Sequence, residues 1–588
     1  MALFNPSLSP GVVVNEIDLT SVVPNVSTSL TGIVGDFKWG PVGQVTSIDN
    51  SGELASTFGT PDATNAVDYL TAEYFLKYSR NLRLVREVTE LAENACTGDS
   101  AETVLIKNAD DYEIQKSAFS AGGTDTGMWI AKYPGEIGNS LAVSIFAVGD
   151  SDSAASTNAA FQTWDYRLQF DGAPGTSTWA SERNASNDEV HVVVIDRFGL
   201  FSGVVGGVLE SFNYLSVARG AKTNDGANNY IVDVINNRSR FIWFGYYDAI
   251  RSIVGTDWGT APPQSTAIDY AVGVAWSNNS ATTALGNGVE SGALSTDEFA
   301  DGYALFEDKE SVEIDMLVAP GMGTSLDQIS VVNNLVGIAN SRRDLVVVTS
   351  PDRAAINSAN PVEDTIETVN GFTASNYLIV DNNYFQVFDR YNNQYVNIPA
   401  ASSTAGLMAQ TDFTYGPWWS PAGEKRGRYF GVTQLAYSPN KSERDDLYKS
   451  GINPIVNFPG RGILLFGDKT KESRPSAFDR INVRRLFLAL EKSISIAARN
   501  VLFEFNDEFT RAEFVGIIEP ALREVQARRG IQDFYVQCDE TNNTPAVIDR
   551  NELVASIFIK PARSINFITL NFVAVRTGVE FEEVVGTV

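Results

Sequence analysis

Apolar residues recur at two periods along this chain, and the periods lay out its elements. Helical spacing is clearest in "INVRRLFLALEKSISIAARNVL", where Val483, Phe487, Leu490, Ile494, Ala497 and Val501 share one face. "NAVDYLTAEYFLKYS" repeats the pattern with Val67, Leu70, Tyr74 and Tyr78. "SLDQISVVNNLVGIANSR" predicts a third helix, and "SIDNSGELASTFG" a short one. "TRAEFVGIIEPALREVQARRG" opens with capping-box spacing, Thr510 to Glu513, and closes on Arg-Arg-Gly, so it predicts a fourth long helix. Pro520 is expected to kink or split it. Strands are predicted in "TGIVGDFKWGP", "NLRLVREV", "LAVSIFAVG", "VHVVVIDRFG", "VEIDMLVAPGMG", "DLVVVTSP", "ELVASIFIKP" and "SINFITLNFVAV".

Strand-like pattern also occupies both ends. Val12, Val13, Val14 and Ile17 lie in "SPGVVVNEIDLTSVVPNV", between two prolines. In "RTGVEFEEVVGTV" Val579 and Phe581 alternate with Glu580 and Glu582, ahead of Val584 and Val585. Neither segment has a local partner strand, although termini fray unless tied down.

With 588 residues the chain predicts two to four domains. Residues 28–92 read as α/β, residues 95–299 shift to Ser, Asn, Gly, Ala and Thr, and the βαβ pattern resumes near 300. The expectation is one α/β domain, 28–92 plus 300–423, interrupted by an insertion at 95–299. That insertion is mostly β over about 95–200 and irregular or mixed afterwards. A second α/β domain follows at 424–575, with extended arms at 1–27 and 576–588. The fold class is thus α/β (α+β), multidomain, with no solenoid repeat and no low-complexity tract.

Composition fits a soluble globular protein: no apolar run reaches the ~20 residues of a bilayer span, and no secretory signal precedes the first elements. Two cysteines fit a reducing compartment, hence a cytoplasmic product. The net charge of −28 argues against nucleic acid or an anionic membrane as partner. It is also uneven. Residues 424–588 carry 23 Lys and Arg against 22 Asp and Glu, whereas residues 1–423 carry 21 against 50. An acidic part facing water and a balanced part among protein neighbours would produce this split.

Catalytic chemistry is sparse. His191 is the single histidine, and no Gly-x-Ser-x-Gly elbow accompanies it. One histidine and two cysteines exclude zinc sites of His/Cys type, and no EF-hand spacing occurs. "GILLFGDKT" approaches a phosphate-binding loop, but Asp468 displaces the lysine and sets a carboxylate where phosphate would lie. "APGMGTS" has the strand–turn–helix setting of a dinucleotide fingerprint, with Leu326 in place of the third glycine; a tight turn explains it. No catalytic residue, cofactor or metal is expected. On the long helix Arg485, Lys492 and Arg499 recur every seven residues, a basic stripe opposite the apolar face.

Several phrases, in order, carry a resemblance: "SPGVVVNEID", "GIVGDFKWGP", "IDMLVAPG", "YGPWWSPAGEKRG", "GINPIVNFPGRGILLFGDKT", "INVRRLFLALEKSI" and "QCDETNNTP". Together the set resembles the tail sheath proteins of contractile bacteriophages, most densely over 1–90 and 310–588. One departure is "LLFGDKT", where members more often carry Trp-Gly and an Arg before the Thr. The resemblance implies an inner C-terminal sheath domain, a subtilisin-like middle domain without catalytic residues, and an inserted outer domain. It implies a structural, non-enzymatic subunit, a homo-oligomer of hexameric rings stacked helically around a tail tube protein, with baseplate and tail terminator proteins as further partners. Contraction uses no nucleotide, and the product belongs to the virion, assembled in the host cytoplasm, without nucleic-acid binding or membrane insertion. The terminal arms would add strands to neighbouring subunits, and Arg485, Lys492 and Arg499 would face the tube. A tailocin or related injection particle shares these features; a hydrolase and a surface adhesin are the remaining alternatives.

Overall fold

A computed structural model describes residues 28–98, 104–119, 126–147, 154–183, 188–245 and 280–566. Both arms, with Val12, Val13, Val14, Ile17, Val579, Phe581, Val584 and Val585, lie outside the described residues, as does most of "SINFITLNFVAV". The chain forms two compact units. The larger comprises Ser27–Thr414 and Pro421–Asp479; the smaller takes in Tyr415–Ser420 and the chain from Arg480. Residues 421–479 thus fold with the larger unit, and the smaller resumes well after the expected boundary at 424.

The larger unit is organised by a six-stranded sheet in the order Leu378–Val380, Val346–Thr349, Met316–Val318, Thr31–Gly35, Leu82–Arg86 and Thr46–Ile48. The first five run parallel, and Thr46–Ile48 closes the edge antiparallel. Short, continuous Val/Leu/Ile runs dictate this arrangement, because parallel strands are covered on both faces. Helix Ser325–Arg342, capped by the Thr324 side chain, buries Val331, Val332, Leu335, Val336 and Ala339 in that core. Gly32 is required by close approach: a Cβ there would lie 2.4 Å from Ile314 Cδ1.

Between Arg86 and Thr296 the chain makes a long excursion. It leaves and returns through a short antiparallel ladder, Glu93 opposite Val289 and Cys96 opposite Gly286. Beside it the fully buried Arg86 guanidinium donates to the carbonyls of Gly40 (3.0 Å) and Pro134 (2.8 Å). The excursion's main sheet is antiparallel, in the order Gly207–Ser216, Glu189–Asp196, Leu141–Ala147, Ser280–Ala284. Strands thus continue beyond residue 200, where irregular or mixed structure was expected. Gly207–Ser216 escapes sequence reading because it is an edge strand, only partly buried, with weak alternation.

In the smaller unit helices Ile481–Ala498 and Glu508–Ala527 pack with a two-stranded antiparallel sheet, Ile531–Gln537 and Ser556–Pro561. Leu486, Leu490, Phe514, Ile518, Leu522, Ile531 and Val536 form their core. Two helix expectations are corrected. The N-cap of the second helix is Asp507, whose side chain accepts from Thr510 N–H at 2.8 Å, so the helix starts a turn earlier than the Thr510–Glu513 spacing predicts. Pro520 sits inside a continuous helix, since Phe514 before it and Leu522 after it are buried in one core, which offsets the missing backbone bond.

Candidate functional site

The motifs that could carry catalysis are structural in this fold. His191 is fully buried and stacked on Phe170, with ring centroids 4.1 Å apart. Tyr214 N–H donates to its Nδ1 (3.1 Å), so the proton sits on Nε2, which donates to the Gly172 carbonyl (2.8 Å). Burial lowers its pKa to about 4, against the opposing pull of that carbonyl. The imidazole is neutral and fully engaged, and holds two strands and a loop together.

The glycine-rich segment at 462–470 is a strand, Gly462–Leu465, that runs into a loop rather than a helix. Lys469 Nζ donates to the Tyr448 carbonyl (2.7 Å), and Asp468 is buried, accepting from Tyr448 Oη. Nothing there cradles phosphate. At 319–325 the strand-to-helix turn is filled from within by the buried Gln328 side chain. It accepts from Met322 N–H and donates toward the Pro320 and Ser350 carbonyls. Beyond the same strand ends Asp381 accepts from Ser350 Oγ (2.8 Å) and Thr404 Oγ1 (3.0 Å), and Ser350 Oγ accepts from Ala401 N–H. Burial pushes Asp381 up to about 7, opposed by those two hydroxyls. This is a buried network in which the serine's partner is a carboxyl and not an imidazole. Among the described residues no group of His, Cys, Asp and Glu is arranged to hold a metal ion, and no helix is long and apolar enough to cross a membrane.

The smaller unit offers surfaces of another kind. Its two strands pair Phe534 with Ile559 and Val536 with Ile557 toward the core, and Tyr535 with Phe558 outward. Tyr535 and Phe558 are more than half exposed and stack on each other, centroids 6.2 Å apart. Among the described residues neither strand has a second neighbour. Two-stranded sheets are marginal alone, and open edges are pairing templates.

The three stripe residues are not equivalent. Arg485 is buried, Lys492 half-buried and Arg499 exposed. Seven-residue spacing does place them on one helix face, but burial deepens toward the helix start, so the stripe presents no continuous charge to solvent. Sequence reading missed a neighbouring feature: Leu502, Phe503, Phe505 and Phe509 are all strongly exposed where the two helices join. The signal was available in "FEFNDEF", three phenylalanines interleaved with acids and no apolar period.

Comparison with known proteins gives a consistent answer. Residues 292–471 match the family described as phage tail sheath protein central domain, and residues 473–574 the phage tail sheath C-terminal domain. The tail sheath protein of Vibrio phage KVP40 is 30% identical, the alignment covering 98% of this chain and 100% of that protein. The tail sheath protein of Enterobacteria phage T4 is 32% identical over 98% and 99%. Among solved structures, the fold resembles the sheath tail protein of Listeria innocua (TM-score 0.52, 11% identity, 92% of this chain and 97% of that one). The sheath tail protein of Desulfitobacterium hafniense gives TM-score 0.50 at 14% identity, covering 94% and 100%.

Proposed function

The chain belongs to the phage tail sheath family, and from that premise we propose that it is the repeating subunit of a contractile sheath. Copies stack as hexameric rings into a helical tube around an inner tail tube, and repacking of that lattice drives the tube through a host envelope without nucleotide hydrolysis. Tail tube, baseplate and tail terminator proteins are its partners, and the virion tail its location. The α/β body of the larger unit serves as middle domain, the excursion as outer domain, and the smaller unit as inner domain.

One observation supports the assembly part of this reading: the two-stranded sheet of the smaller unit, neither strand of which has a second neighbour among the described residues, with aromatic residues on its outer face. Arms from neighbouring copies, "GVVVNEID" and "GVEFEEVV", have the length and alternation to complete it by strand addition. Eight residues add roughly 4–8 backbone hydrogen bonds at a net ~1 kcal/mol each. Association costs about 4–15 kcal/mol. A single exchange is thus marginal, and a lattice of repeated exchanges is stable; the arms act as hinges while the bodies repack. Lys492 and Arg499 remain candidates to meet the tube, whereas Arg485 has too little exposure to do so directly.

The test is negative-stain electron microscopy of the purified full chain beside a version ending at Arg576. Tubes from the full chain and dispersed subunits from the truncation are expected. Dispersed subunits from both, with tail tubes and baseplates supplied, would refute the sheath reading.

A further inference from the structure

The turn joining the two long helices of the smaller unit is built to be covered. Leu502, Phe503, Phe505 and Phe509 are 62%, 104%, 84% and 77% exposed. At ~200 Å² per aromatic side chain the three rings alone present roughly 500 Å². That matches the largest apolar patch of a typical monomer, ~300–600 Å², and most of one side of a standard interface, ~800 Å² per partner. Phe503 also holds φ at +72°, a left-handed conformation that glycine or asparagine adopts far more readily. A subunit working alone gains nothing from an outward phenylalanine in that conformation.

The backbone under these rings is fixed. Asn506 Nδ2 donates to the Glu552 carbonyl (2.8 Å), and its Oδ1 accepts from Arg511 Nη1 (2.8 Å). Asn506 Nδ2 also reaches Asn543 Oδ1 at 3.4 Å, and Asn543 is bonded in both directions to the Val554 backbone, just before strand Ser556–Pro561. The aromatic turn is therefore tethered to the connection of the two-stranded sheet.

Charge indicates what covers it. The rings are interleaved with exposed Glu504, Asp507 and Glu508, while exposed Arg523, Arg528 and Arg529 lie at the far end of helix Glu508–Ala527, where Glu519 and Glu524 pair with the first two and leave Arg529 as the excess positive charge. At 1.5 Å per residue these ends lie ~30 Å apart. Two copies meeting turn to turn would oppose like charges. Two meeting head to tail would bring the acidic aromatic end of one helix against the basic end of the next. Head-to-tail contacts generate rings where the rotation closes and open helical polymers where it does not.

We infer that the 502–509 turn is a docking surface for a second copy of this chain, seated against the basic end of that copy's 508–527 helix. The inference rests on the sheath reading and deepens it by naming a contact separate from the terminal arms. It is tested on the full chain by measuring, with sedimentation velocity and electron microscopy, the lowest protein concentration that yields polymer. F503S/F505S/F509S is expected to raise it at least tenfold with unchanged circular dichroism. F503G is expected to raise it less, while increasing the melting temperature of the free subunit by relieving the backbone. R528E/R529E is expected to impair assembly, and E504R/E508R in the same chain to restore part of it. Normal assembly of the triple variant would overturn the inference. So would a triple variant that self-assembles normally and fails only on tail tubes, which would make the tube the occupant. Wild-type protein that never polymerises, even with tubes and baseplates, would remove the sheath reading itself and this contact with it.

Discussion

The parallel sheet of the larger unit and the two-stranded sheet of the smaller unit are built from similar β-branched and aromatic residues, yet they end differently. In the first, Val346–Thr349 and Leu378–Val380 are wholly buried, covered by helices and backed by a buried polar network. In the second, strand Ser556–Pro561 has no buried residue, and its outer face carries stacked aromatics. One sheet is finished by its own chain. The other has only two strands among the described residues, and under the proposed function it is the one that neighbouring copies complete.

The largest expected effect tests the finished half. Leu335→Ala, in the core of helix Ser325–Arg342, removes a fully buried side chain and is expected to cost about 2–5 kcal/mol, read from denaturant unfolding of the free subunit.

Next comes pH, because buried acids are confined mainly to that half. Burial raises Asp36 to about 8, offset by Arg86; it raises Glu87 to about 7, offset by Lys107, and Asp381 to about 7, offset by Ser350 and Thr404. Each binds its proton more tightly folded than unfolded. Between pH ~4 and those values the folded state holds more protons, so stability falls as pH rises through that window. The melting temperature of the free subunit is expected to drop by several degrees from pH 5 to pH 8, and Asp381→Asn to flatten part of the slope.

A smaller effect comes from His191, whose folded pKa of about 4 lies below its unfolded value. Its contribution is complete above pH ~6.5 and is lost as pH falls toward 4. As the sole histidine it gives a single Cε1–H imidazole resonance, which should titrate near pH 4 rather than 6.5.

The smallest effect tests the unfinished half. Phe558→Ser should change free-subunit stability by less than about 0.5 kcal/mol, as exposed positions do, while weakening assembly. A loss of several kcal/mol in the free subunit would mean that the sheet is complete within one chain, and the contrast would collapse.

Sequence pattern located most of the finished half. Thr31–Gly35, Leu82–Arg86, Met316–Val318, Val346–Thr349 and helix Ser325–Arg342 fall within the segments read as strand or helix, because continuous burial leaves an undiluted apolar signal. The helices Ile481–Ala498 and Glu508–Ala527 were legible for the same reason, apart from the start of the second, where the Asp507 side chain wins the capping position. Exposure was not legible. Heptad spacing aligned Arg485, Lys492 and Arg499 without revealing that the tertiary fold buries the first, and the exposed phenylalanines of "FEFNDEF" carried no period to mark them. The edge strand Gly207–Ser216 was lost because most of its residues are only partly buried and their burial does not alternate.

The small ladder at Glu93–Val289 and Cys96–Gly286 has an engineering consequence. Antiparallel partners sit ~5 Å apart, so a short hairpin could bridge the two ends of the excursion. The excursion also rests on the body: Trp39 packs within its core, Val42 N–H donates to the Lys107 carbonyl, and Arg86 donates to the Pro134 carbonyl. A replacement domain would therefore have to cover Trp39 and supply a new acceptor for the buried guanidinium, or the body would lose stability.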